Sequence, residues 1–83
     1  MTNPLYLRSG LFFSAIKANE EAGEFIQAIC KALNYGWWSV DPTLPDDVYH
    51  EPNVDWVLRE LEDLQGRLEA LHAEIIRFKG ELH

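Results

Sequence analysis

The sequence has a single cysteine, Cys30, in 83 residues, which excludes an internal disulfide framework and a cysteine-rich zinc module. It has no apolar run near the ~20 residues that cross a bilayer. Residues 11–16 are too short for a signal core and lack a basic leader and a cleavage site. Positive charge is scarce: seven Lys and Arg against fourteen Asp and Glu give a net charge of −7. That sign argues against sequence-independent binding to nucleic acid, which needs a basic surface. There is no glycine-rich phosphate loop and no nucleophile–histidine–acid arrangement. These absences leave a soluble, cytoplasmic protein with no membrane and no nucleic-acid partner as the expectation.

What remains has the composition of a folded chain. Hydrophobic residues make up 47% and charged residues 25%, with ten aromatics, which is too apolar for a disordered tail. A chain of this length buries only about 60–65% of its unfolded surface, so the core is expected to be thin and a partner subunit to complete it. The charge is unevenly placed. Residues 19–63 hold eleven of the fourteen acids and only Lys31 and Arg59 as cations, a local net of −9, while the rest carries +2. Such a cluster is a solvated surface, a cation site or a mimic of nucleic acid.

Two helical patterns account for most of the chain. The first begins after Ser9-Gly10 and runs to about Tyr35, with a seam of Leu11, Ala15, Ala18, Ala22, Phe25 and Ile29 in alternating steps of four and three. Phe12, Ile16, Ile26 and Leu33 widen that stripe, and Gly36 is a natural stop because glycine adopts the left-handed conformation that closes a helix. Asn19 could cap a separate helix, but the period does not slip across it, so one continuous helix is expected. The second pattern, about residues 53–80, reads Val57, Leu61, Leu64, Leu68, Leu71, Ile75, Phe78 and Leu82 without a break. Asn53 is its expected N-cap, and its length is about 40 Å at ~1.5 Å per residue. Gly66 weakens it by roughly 1 kcal/mol, too little to defeat so regular a stripe. Between them, residues 36–52 carry Pro42, Pro45 and Pro52 and read as a long loop. Residues 1–9 read as a short extended arm. The expectation is one all-α domain over residues 1–83: an antiparallel helical hairpin with a long connecting loop, pairing as an oligomer into a four-helix bundle.

Labelled as heptads with Leu11 and Val57 at d, both helices place acids at the same positions. Glu21 and Glu60 fall at g, Glu24 and Asp63 at c. Positions g face one another across an antiparallel pair, so Glu21 set opposite Glu60 brings Glu24 and Asp63 to the same flank. Two such charges about 5 Å apart repel by roughly 3 kcal/mol at an effective dielectric of ~20. A hard divalent cation, Mg²⁺ or Mn²⁺, relieves that repulsion by taking carboxylate oxygens and water in an octahedral shell. Lys17 and Arg67 fall on the same flank, as a phosphate-bearing substrate would require.

The stretch from Lys17 through Glu20, Glu21 and Glu24 to Gly36 resembles MazG-like proteins of the all-alpha nucleoside triphosphate pyrophosphohydrolase superfamily, phage-type members especially. That family's signature is E-E-x-x-E followed downstream by E-x-x-D, and Glu60-Leu61-Glu62-Asp63 supplies the second half. The resemblance covers about residues 14–72. It implies that Glu21, Glu24, Glu60 and Asp63 bind Mg²⁺. It matches Glu20 to the first glutamate of the motif, either behind the metal-binding acids or on the attacking water, matches Lys17 to a frequent lysine, and implies cleavage of a nucleoside triphosphate between its α and β phosphates. Lys17 and Arg67 would then hold the β and γ oxygens. Thirty-five residues separate Glu24 from Glu60, more than the family's usual gap, so the loop differs and base specificity does not carry over.

The remaining residues have plainer readings beside the sharper ones. Trp37 and Trp38 offer faces on which a nucleobase stacks, and Trp56 shares that chemistry, though closing the end of a bundle is the commoner use. Tyr49, His50, Asp46 and Asp47 read as a solvated loop, and His72 and His83 have no ligand spacing with each other. Cys30 lies on the apolar side of its helix and is expected to be a buried, inert thiol. The functional expectation is an enzyme, a Mg²⁺-dependent pyrophosphohydrolase. Its rivals are an acidic helical protein that blocks a basic partner surface and a relative that keeps the fold without the activity.

Overall fold

The computed structural model describes residues 10–47 and 49–81. The expected arm at residues 1–9, the last seam residue Leu82, and His83 lie outside the described residues. Two helices, α1 (Gly10–Tyr35) and α2 (Asn53–Glu81), pack against each other, with no strand among the described residues. α1 passes through Asn19 without a break. It ends where Gly36, at φ 101°, turns left-handed and donates its N–H to the Ala32 carbonyl at 2.8 Å. A side chain at Gly36 would be strained by that φ and would stand 3.2 Å from Ser39 Oγ.

The pair is antiparallel, and both ends of it show why it holds. Near one end Gly10 lies so close to Glu74 that an added Cβ would come within 2.8 Å of the carboxylate carbon. At the other end Asn53 reaches back onto α1. This corrects the expected N-cap. Asn53 is fully buried as the first residue of α2, and its Nδ2 donates to the Gly36 carbonyl at 2.9 Å and to the Lys31 carbonyl at 3.5 Å. Its side chain therefore serves the end of the preceding helix, where carbonyls lack intrahelical partners. The start of α2 is met by the main chain instead. Ser39 and Trp37 carbonyls accept from the N–H groups of Asn53 and Val54 at 2.7 Å each, and the Pro52 carbonyl accepts from Asp55 and Trp56.

The core is small because α1 presents alanines. Ala18, Ala28 and Ala32 are buried, Val57 opposes them from α2, and Phe25, Ile29 and Trp56 pack around the Ala28–Ala32–Val57 cluster. The long loop is pinned by Asp41, which is only 4% exposed. Its Oδ1 accepts from the Thr43 N–H at 2.9 Å and the Thr43 hydroxyl at 2.6 Å, and Lys31 Nζ lies 3.2 Å from its Oδ2. Those bonds hold the Asp41 carboxyl below its usual range, the Thr43 hydroxyl contributing most. No helix among the described residues is long and apolar enough to cross a membrane.

Helical periodicity sorts the outer surface into two faces. On α1, Ile26, Cys30 and Leu33 flank one side of the buried line, and on α2 Leu58 and Ile76 flank the corresponding side. In an antiparallel pair these flanks share a face. Glu21, Glu24, Glu60 and Asp63 share the opposite one. The apolar face is open: Leu33 is 70% exposed, Ile26 61% and Ile76 57%. Cys30 is exposed with them, which corrects its expected burial. It does lie on an apolar stripe, but one that α2 does not cover.

Candidate functional site

The acidic face is assembled by the register of the pair. Glu21, Glu24 and Glu60 each offer a carboxylate oxygen within 4.8 Å of the others, two from α1 and one from α2. Glu60 is 5% exposed, Glu21 is half-buried and Glu24 is exposed. Two of the oxygens, Glu21 Oε2 and Glu60 Oε2, are buried and accept no hydrogen bond. A buried carboxylate oxygen without a donor is costly to keep ionised, because it has lost water and gained nothing. Burial accordingly pushes the Glu60 carboxyl above its ordinary value of 4.5. The Arg59 guanidinium opposes that push and the like charge of Glu24 adds to it, while a hydrogen bond from the Trp56 indole lowers it.

Asp63, one turn along α2 from Glu60, is exposed and lies outside the group of three. Its charge acts on Arg59. Glu20 is exposed and paired with Lys17, the Nζ to Oε2 distance being 3.4 Å, and the same ammonium stands 5.7 Å above the Phe13 ring. The residue expected beside the water and the one expected on phosphate thus neutralise each other at the surface. Arg67 is exposed and makes no ion pair with the described residues. Trp38 is 83% exposed on the loop, and Trp37 contributes its carbonyl to the start of α2.

Sequence reasoning did not single out Arg59 or Glu51. Arg59 lies between two carboxylates, with Nη1 on Glu60 Oε1 at 3.1 Å and Nη2 on Glu51 Oε1. The hydrogen bond to Glu51 raises the guanidinium's pKa further, so it is always charged. Beside it a pocket of about 260 Å³ opens, lined by Asp41, Leu44, Tyr49, Glu51, Trp56 and Arg59. The available signal was charge: Lys31 and Arg59 are the only cations among residues 19–63, and each is held by a carboxylate that the loop supplies. His50, read as part of a solvated loop, is half-buried and donates from Nε2 to the Pro45 carbonyl at 2.8 Å.

Comparison of the chain with protein-family models, with curated proteins and with solved structures finds no match.

Proposed function

We propose that the chain is a divalent-metal-dependent nucleoside triphosphate pyrophosphohydrolase whose site is the acidic face of the hairpin. The observation that carries this reading is the pair of buried, unpartnered oxygens on Glu21 and Glu60 within a group of three acids drawn from both helices. A hard cation is the partner that such an oxygen set fits, and the resemblance of the two acidic motifs gives the reaction class. Glu21, Glu24 and Glu60 would hold Mg²⁺ or Mn²⁺, with Asp63 completing the set from the next turn of α2. When bound, the ion supplies neutralisation of phosphate charge and Lewis acidity. The chain's own groups do the rest. Glu20 would accept a proton from the water as its oxygen bonds to the α phosphorus and the bond from that phosphorus to the α–β bridging oxygen breaks, so that pyrophosphate leaves and a monophosphate remains. Lys17 and Arg67 draw the β and γ oxygens to the same flank. Nucleotides of the cytoplasm are the substrate pool this reading requires.

The same reading takes the open apolar face as the seat of a second copy, which makes a four-helix bundle. The support is the openness of that face, where Leu33, Ile26 and Ile76 form an apolar surface of the kind that marks a contact site.

Pyrophosphate release from a panel of nucleoside triphosphates with Mg²⁺ is the test. Release that Glu24→Gln abolishes, with helix content unchanged by circular dichroism, is the expected result. If no nucleotide is hydrolysed while Mg²⁺ raises the melting temperature no more than NaCl of equal ionic strength, the acids are a diffuse surface. The acidic interaction protein then takes the lead.

A further inference from the structure

The pocket beside Arg59 has no role in the reading above, and its chemistry is specific enough to name a ligand. We propose that it is the base subsite of the nucleotide and that it selects guanine, with Glu51 reading the base edge and Trp56 and Tyr49 supplying the stacking faces. The proposal rests on the pyrophosphohydrolase reading for what the nucleotide is used for, and on the pocket alone for which base is held.

Size sets the first limit. Pockets for drug-sized ligands run from about 300 to 1,000 Å³, so about 260 Å³ suits a planar base and is too small to enclose a whole nucleotide. Position sets the second. Trp56 and Arg59 line the pocket and also touch Glu60, so the pocket mouth and the acidic group are joined through one turn of α2. A base seated there leaves its phosphates free to run toward the carboxylates. The lining sets the third, because aromatic rings stack on any base while the polar groups choose among bases.

Among the charged side chains, elimination leaves one reader. Asp41 already accepts two bonds from Thr43 and pairs with Lys31, so its carboxylate is occupied. Arg59 is held between Glu51 and Glu60. Glu51 is half-buried, keeps Oε2 without a hydrogen bond among the described residues, and retains a lone pair on the Oε1 that Arg59 touches. An ionised carboxylate is acceptor-only and takes two parallel donors best. Guanine is the standard base with two adjacent donors, the ring N1–H and the exocyclic amine, while adenine, cytosine and uracil each offer a donor beside an acceptor. Arg59 is a positioning residue here: its ion pair holds the Glu51 carboxylate at the pocket wall. Four of the six lining residues, Asp41, Leu44, Tyr49 and Glu51, come from the long loop, and Trp56 and Arg59 come from α2.

The test is binding of nucleoside monophosphates to the whole protein with Mg²⁺, followed by calorimetry. GMP should bind about tenfold more tightly than IMP, which lacks only the 2-amino group, a ratio typical of losing one good base-edge contact. Glu51→Gln should bring GMP to the level of IMP, and Tyr49→Ala, at a side chain 85% exposed, should weaken both alike while leaving the fold intact. Equal affinities for GMP and IMP, or a ratio that Glu51→Gln leaves unchanged, would overturn the proposal. The two readings fail separately. Pyrophosphate release without base preference removes the guanine subsite and keeps the enzyme, whereas Glu51-dependent GMP binding without hydrolysis of any triphosphate keeps the subsite and removes the enzyme. If GMP neither binds nor is formed, both fall.

Discussion

At its loop end the hairpin buries Asn53, Asp41 and Glu60 among Ala28, Ala32 and Val57, whereas at the far end Leu68, Ile75 and Ile76 remain about half exposed. Polar side chains share the inside with small apolar ones, and many of the large apolar ones are outside. The difference teaches how a thin chain divides its stability. The loop end is stitched within one copy by hydrogen bonds and ion pairs, although Asn53 Oδ1 and Glu60 Oε2 stay without a donor and Leu33 stays open. The far end relies on apolar area, and a two-helix layer offers each stripe only one covered flank. The candidate site sits toward the stitched end, where carboxylates from two helices are held in register.

The sharpest way to break this contrast is to remove one polar stitch and one apolar side chain and compare. Asn53→Ala strips the Gly36 carbonyl of its buried donor and should lower the unfolding free energy by about 2–3 kcal/mol, read in urea titrations. Leu68→Ala in a lone hairpin should lower it by about 1 kcal/mol or less, since half of that side chain already meets water. A larger Leu68 effect that grows with protein concentration would mean the far end is covered by a second copy.

The next effect is electrostatic and divides the loop end itself. Glu60 has its pKa raised by burial, so the protonated form suits the fold; its stabilisation is complete below the ordinary value of 4.5 and is lost as pH rises through the raised one. Asp41 has its pKa lowered, so its stabilisation is present above the ordinary value of 3.8 and is lost as pH falls through the lowered one. Without divalent metal, melting temperature should therefore fall on both sides of mildly acidic pH. Glu60→Gln should flatten only the upper limb, and Mg²⁺ should flatten it in the unaltered protein. A profile that Glu60→Gln leaves unchanged would mean that its carboxyl carries no such penalty.

Two glycine substitutions give the smallest effects, with opposite signs. Gly36→Ala should destabilise by about 1 kcal/mol, because φ of 101° disfavours a side chain and Ser39 crowds the position. Gly66→Ala meets nothing within 4 Å and should stabilise α2 by roughly 0.5–1 kcal/mol. Thermal melts of the two variants side by side would show whether glycine is needed for the turn and merely tolerated in the helix. A Gly66→Ala variant that melts lower would place an unseen neighbour against that side of α2.

Much of this was legible because helical periodicity is local. The stripes of α1 and α2, the glycine stop at residue 36, the proline-rich break and the co-location of Glu21, Glu24 and Glu60 all follow from residue spacing. Other features were not legible, because they depend on which groups meet across the hairpin. Asn53 reads as the cap of its own helix, yet it closes α1, donating to the Gly36 carbonyl seventeen residues earlier in the chain. Cys30 reads as core, yet a stripe wider than one partner can cover leaves it outside. Asp41 and Glu51 read as loop acids until Lys31 and Arg59 are seen to hold them. The sequence by itself determined two amphipathic helices, their break and the acids along one flank, because each is set by a repeat within a few residues. Only the tertiary structure decided which oxygens lose water without gaining a donor, and which loop side chains wall the pocket beside Arg59. Desolvation and hydrogen bonding are properties of neighbours in space, and those neighbours lie from eight residues apart, Glu51 and Arg59, to thirty-nine, Glu21 and Glu60.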